Sequence, residues 1–139
     1  MYLLPRGNAA QNVSLPSAPF VAPFGIFVNA SNKDVYVADD TQVVRIPGGT
    51  GTPIILPVPA SLTPQLNGWS QATDVFQDAR GTIWVTNFAN PETYGGTPSV
   101  VAIPADDPPF YLTPTAYSWV NPYSIVVTPN GNVYVREGK

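Results

Sequence analysis

The chain has no cysteine and no histidine in 139 residues. The first absence removes disulfides and thiolate nucleophiles. The second removes imidazole acid–base chemistry, and together they remove the usual zinc ligand sets. Charge is scarce too. Six Lys and Arg stand against nine Asp and Glu, a net charge of −3, and charged residues are 11% of the chain, less than half the ordinary share. No basic cluster is available to contact phosphates, so nucleic acid is not an expected partner. No apolar run approaches the roughly 18 residues a membrane helix needs, so membrane insertion is not expected. Residues 1–10 lack the apolar centre of a secretory leader. Few charges with many Thr, Asn, Ser and Pro nonetheless suit an extracellular or cell-surface protein that has already lost its leader.

What is present is apolar sequence in short pieces. The hydrophobic fraction is 44%, enough for a packed core, in one domain's worth of chain or part of a larger one. Seventeen Pro and eleven Gly lie between apolar runs rather than within them, so they read as turn punctuation. The runs are rich in Val, Ile, Phe, Tyr and Trp, which are strand signals. Asn130-Gly131 between two such runs signals a hairpin in which both residues tolerate positive φ. Pro64 and Gly68 make Ala60–Gln71 a loop with room for one helical turn.

The runs recur. Pro23-Phe24-Gly25-Ile26-Phe27-Val28, a turn, then Asp34-Val35-Tyr36-Val37-Ala38-Asp39 is one copy. Ala72–Gln77 with Thr82–Asn87 is a second, and Pro122–Val127 with Asn132–Glu137 a third. The aromatics Tyr36, Trp84 and Tyr134 are 48 and 50 residues apart (84 minus 36, 134 minus 84). A period of that size signals a repeat architecture. A second motif is interleaved: an apolar run closed by Pro, a polar loop, and another such run. It runs from Leu3-Leu4-Pro5 to Pro16, from Arg45-Ile46-Pro47 to Pro57, and from Ala102-Ile103-Pro104 to Pro114, intervals of 11, 10 and 10 residues.

Combined, the motifs define a four-stranded unit a-b-c-d. The first unit has a at Phe24–Asn29, b at Asp34–Ala38, c at Gln42–Ile46 and d at Pro53–Leu56. The second has a at Thr73–Gln77, b at Thr82–Thr86, c at Ser99–Ile103 and d at Phe110–Thr113. Ile26-Phe27-Val28 and Ile125-Val126-Val127 do not alternate, so both sheet faces are covered. Blades of a β-propeller, flanked on both sides by other blades, meet that condition.

The first unit gives Pro23-x-Gly25-Ile26-x-Val28, Val35-Tyr36-Val37-x-Asp39 and then Arg45-Ile46. It resembles the blade of an NHL-type β-propeller. The second unit keeps Val75, Ile83-Trp84-Val85 and Asn87 but lacks the Pro-x-Gly opening. The third keeps Pro122, Ile125, Val127 and Val133-Tyr134-Val135. The resemblance implies an all-β fold of NHL-like four-stranded blades and says little about activity.

The chain opens with c and d strands within residues 1–16 and closes with a and b strands within 122–136. Complete blades are expected over 23–57 and 72–114. Twelve strands are three blades' worth, whereas propellers close with four to eight. The propeller is therefore expected to be incomplete within one chain. Each open face would present about 300 Å² of apolar surface, from four strands about 4.8 Å apart and five residues long. Soluble monomers avoid such faces and the unpaired edges beside them. Completion comes either from sequence missing here or from another chain, as a homo-oligomer. Two chains would give a six-bladed ring, and a rotation that fails to close would give a head-to-tail fibre. Leu3, Leu4, Val13 and Leu15 at one end and Ile125, Val127, Val133 and Val135 at the other are the strand residues expected to meet between chains.

Three groups of residues are candidates for chemistry or recognition. Asp39, Asn87 and Glu137 follow strand b at equivalent positions. A ring of oxygen ligands binds a hard cation such as Ca²⁺, and the gluconolactonase-like propellers place Glu, Asn and Asp around the central channel for a metal. The ordinary role of such residues is to cap a turn. Trp69, Tyr94, Tyr117 and Trp119 lie in or near loops. They either stack on glycans and protein partners or seal gaps between blades. The paired carboxylates Asp39-Asp40 and Asp106-Asp107 are poor glycosidase pairs, being adjacent in sequence. The expected function is a non-enzymatic structural or interaction propeller, binding itself or other proteins and needing no cofactor. The alternatives are a metal-dependent lactonase or lyase on Asp39, Asn87 and Glu137, and a carbohydrate-binding propeller using Trp69 and Tyr94.

Overall fold

The computed structural model describes residues 2–3, 11–12, 20–62, 68–89 and 97–138. The strands are β1 (Tyr2–Leu3), β2 (Gln11–Asn12), β3 (Pro23–Val28), β4 (Val35–Asp39), β5 (Gln42–Ile46), β6 (Ile54–Leu56), β7 (Ala72–Gln77), β8 (Ile83–Asn87), β9 (Ser99–Ile103), β10 (Phe110–Tyr111), β11 (Pro122–Val127) and β12 (Val133–Glu137). One-turn 3₁₀ helices follow β5 at Pro47–Gly49 and lie at Ala60–Leu62. The fold is all-β. Two four-stranded antiparallel meanders, β3-β4-β5-β6 and β7-β8-β9-β10, are complete blades, and β1–β2 and β11–β12 are two-stranded hairpins. The described residues form an open arc rather than a closed propeller.

Strand a begins the same way in each blade. The register slips between Pro23 and Gly25, between Ala72 and Asp74, and between Pro122 and Ser124, leaving Phe24, Thr73 and Tyr123 outside the ladder. A bulge of this kind bends the strand and sharpens its twist, as a blade entering from its neighbour requires. The second and third a–b turns also match. In the last, Thr128 and Asn132 close a three-residue loop in which Gly131 N–H donates to the Thr128 carbonyl. Gly131 has φ of 90°, and Asn130 is not in the left-handed region. The hairpin is thus a three-residue loop with glycine in the left-handed position, not the two-residue turn that Asn-Gly suggests.

The blades stack through their first strands, with β7 packed against both β3 and β11. Cross-strand partners Ile26–Val37–Val44 and Val28–Val35–Ile46 lie on one face of the first blade, and Phe27–Tyr36 on the other. Residues of the second kind meet Val75, Val85 and Val101 of the second blade in a buried seam. Trp84, Val100 and Ala102 meet Ile125 and Val127 in the next seam. Both faces of the second blade are buried, which explains why its strands do not alternate apolar with polar. Gly25 is required by this stacking: a Cβ there would lie 2.7 Å from the Thr73 carbonyl oxygen and 2.8 Å from the Asp74 Cα.

Candidate interaction faces

The repeat allows each end of the arc to be compared with its internal counterpart. Ile26, Val75 and Ile125 hold one position on strand a. Val75 is 1% exposed and Ile125 2%, each covered by the preceding blade, whereas Ile26 is 57% exposed. Tyr36, Trp84 and Tyr134 hold one position on strand b. Tyr36 is 2% exposed and Trp84 7%, each covered by the following blade, whereas Tyr134 is 60% exposed. Val28 beside Ile26 and Val126 beside Tyr134 are exposed as well. An apolar hollow of about 240 Å³ lies by Ile26, between Phe20, Phe24 and Val37. Each end of the arc therefore presents a seam without its second half.

The two bare faces differ in extent. On the first blade, Val35, Val37, Val44 and Ile46 are buried with Phe20 packed against them. Ile26 and Val28, on the same face, are exposed. The bare residues of this face are Ile26 and Val28 on strand a and Ile55 on β6, across from the buried Val44. Ile125 and Val127 of the last hairpin are buried toward the second blade, with Val133 and Val135 packed beside them. The strand-pairing residues expected at this end thus face inward. The outward face belongs to Val126 and Tyr134, neither of which the sequence places among the residues expected to meet between chains. Aligning the three copies of strand a and alternating the faces would have found them. At the other end Leu3 lies on β1, while Leu4, Val13 and Leu15 lie outside the described residues.

Asp39, Asn87 and Glu137 end strand b in each unit, and each ties down the chain entering its own blade. Asp39 Oδ1 accepts from Val21 N at 3.0 Å and Ala22 N at 2.6 Å. Asn87 Oδ1 accepts from Ser70 N at 2.9 Å. Glu137 Oε2 accepts from Asn121 N at 2.7 Å and Val120 N at 3.3 Å. Their second atoms reach toward strand c: Gln42 Nε2 donates to Asp39 Oδ2, and Asn87 Nδ2 donates to Ser99 Oγ at 3.4 Å. Glu137 Oε1 is buried and has no partner among the described residues. Among those residues no three His, Cys, Asp or Glu side chains cluster as a metal site.

The loop aromatics divide. Trp69 is buried in the first seam and donates its indole N–H to the Leu56 carbonyl at 2.9 Å. Trp119 does the same to Leu112 at 2.7 Å and meets Tyr117 edge-on at 5.7 Å between ring centres. Val100, Leu112, Tyr117 and Trp119 line a cleft of about 360 Å³ at the second seam. Tyr94 lies outside the described residues.

Two carboxylates fix the blades further. Asp34 receives Gly48 N at 2.9 Å on Oδ1, and on Oδ2 Arg45 Nε at 2.9 Å and Nη2 at 2.7 Å. The Gly48 amide, and then Arg45, hold its carboxyl below the ordinary value of 3.8, against the opposing effect of burial. Asp74 Oδ2 crosses from one blade to the next, accepting from Ser124 Oγ and Ile125 N, each at 3.0 Å.

Comparison with known proteins places the architecture. No protein-family model matches the chain, and no curated protein does. Among solved structures it is similar to selenomethionine-substituted virginiamycin B lyase from Staphylococcus aureus, with a TM-score of 0.57 and 20% identity over 84% of this chain and 34% of that one. It is also similar to a catalytically inactive histidine-to-alanine variant of that lyase with quinupristin, with a TM-score of 0.60 and 18% identity over 88% of this chain and 36% of that one. The chain thus spans about a third of the length of these structures. At this identity the likeness carries the fold alone, and the chain has the fold of a β-propeller segment.

Proposed function

We propose that the chain is a non-enzymatic interaction module that associates with protein through its two bare blade faces. The observation that supports this is the contrast at equivalent positions: Ile26 against Val75 and Ile125, and Tyr134 against Tyr36 and Trp84. Covering each face returns it to the environment the repeat gives everywhere else. Burial of a large apolar side chain favours association by about 1.5–3 kcal/mol. The scarcity of charge suits work outside the cell.

Light scattering on the purified chain tests the reading. Association gives a mass above 14.8 kDa that rises with concentration, and Ile26→Asp returns it to 14.8 kDa. A wild-type chain that stays at 14.8 kDa up to about 100 μM, a range in which micromolar association would be complete, removes self-association.

The likeness to a lyase supports an enzyme reading on the same fold. That neighbour loses catalysis when a histidine becomes alanine, and this chain has no histidine to contribute. Turnover of quinupristin by the purified chain would favour the enzyme reading over association.

A further inference from the structure

The geometry points to a second copy of this chain as the partner, joined by blades that the two copies share. Strands β11–β12 of one copy supply a and b, and β1–β2 of the other supply c and d. This rests on the association reading and names its partner.

The two hairpins are complementary halves. Complete blades run a-b-c-d, with β4 paired to β5 and β8 to β9. β12 holds the place of β4 and β8, and among the described residues it pairs with β11 alone. Leu3-Leu4-Pro5 matches Arg45-Ile46-Pro47 and Ala102-Ile103-Pro104, which places β1 as strand c. Tyr36 stands opposite Arg45, and Trp84 opposite Ala102. The same register sets Tyr134 of one copy opposite Leu3 of the other.

Three further observations fit the same docking. Strand a of the first blade is bare at Ile26 and Val28, the strip that the preceding strand a covers in both internal seams. An incoming β11 lays Val126 over it. Glu137 ends strand b as Asp39 and Asn87 do, at the position where those residues meet Gln42 and Ser99 of strand c, and its buried Oε1 has no hydrogen-bond partner among the described residues. The described residues hold two complete blades and two halves, and two copies of that set amount to six blades, within the range that closes.

Single-cysteine variants test it cleanly, because the chain has no cysteine of its own. Leu3→Cys and Tyr134→Cys chains are prepared separately, mixed, and oxidised. Directly opposed residues on antiparallel strands lie within disulfide reach. A covalent dimer in the mixture, absent from either variant alone and of twice 14.8 kDa, is the expected result. Val28→Ser in the Leu3→Cys chain, checked by circular dichroism to be folded, should cut its yield about tenfold. A chain that associates in light scattering but gives no mixed disulfide overturns the shared blade and leaves face-to-face association standing. A single chain carrying both Leu3→Cys and Tyr134→Cys separates ring from fibre: covalent products beyond the dimer overturn the closed ring.

Discussion

Asp74 and Ile125 sit on the innermost strands of neighbouring blades, and the carboxylate of one accepts the backbone amide of the other at 3.0 Å. Ser124 Oγ reaches the same oxygen at 3.0 Å. The bond joins two blades at the inner end of the seam, where no ladder connects them.

Removing that carboxylate should loosen the last hairpin. Asp74→Ala leaves a buried amide at Ile125 without an acceptor, and a lost bond to a charged group costs about 1.5–3 kcal/mol. Urea denaturation should show a loss of that size. Hydrogen exchange should show Ile125 N–H protected in the wild type and fast in the variant.

Gly25→Ala should be worse than its single methyl suggests. The added Cβ meets backbone at 2.7 and 2.8 Å, and a blade rather than a side chain must move to admit it. Overpacking costs about 1–3 kcal/mol, and the upper end applies where backbone resists. The thermal midpoint should fall by several degrees. Gly48→Ala meets no atom within 4 Å, so its cost is only that of positive φ, a smaller loss.

Acid should act through Asp34. Its folded carboxyl titrates below the ordinary 3.8, so the stability it contributes is complete above the unfolded value and is lost as pH falls through the folded one. The difference in urea midpoint between wild type and Asp34→Asn should hold from neutral pH to about pH 5 and shrink below about pH 4. Arg45 is 39% exposed and can rehydrate, so the gap at neutral pH should be about 2 kcal/mol, short of that for a fully buried pair.

The two connecting tryptophans should separate by burial. Trp69 fills the first seam, and Trp69→Ala should cost about 3–5 kcal/mol. Trp119 makes the same indole bond but is half-buried beside an open cleft, so Trp119→Ala should cost about half as much. Trp→Phe at either site removes the bond to the leucine carbonyl, about 1 kcal/mol, together with part of the ring volume, so its cost should lie between that and the cost of Trp→Ala. Chemical denaturation of the four variants checks the ranking.

Much of the fold was legible because the repeat aligns each residue with two others. Strand c, Gln42–Ile46 and Ser99–Ile103, lies where the apolar runs put it. Strand b starts and ends one residue later than the runs suggest, because Asp34 and Thr82 belong to the turns while Asp39 and Asn87 are drawn into the ladder. The bulges at Phe24, Thr73 and Tyr123 leave no mark in composition, since a strand's extra residue looks like any other. The anchoring by Asp39, Asn87 and Glu137 was equally hidden. Its donors are backbone amides about 16–18 residues earlier, and an amide carries no side-chain signal. The bare faces were foreseeable in kind but not in residue, because Val126 and Val127 differ only in which way they point.

Each blade touches only the blades on either side, so cohesion along the arc is a chain of pairwise links. The last hairpin hangs from one such link and the second blade from two. Heating should therefore fray the arc from its tip inward, with β11–β12 departing before the middle blade melts. Joining the tips would leave no strand pair with a single attachment, and melting would then become all-or-none.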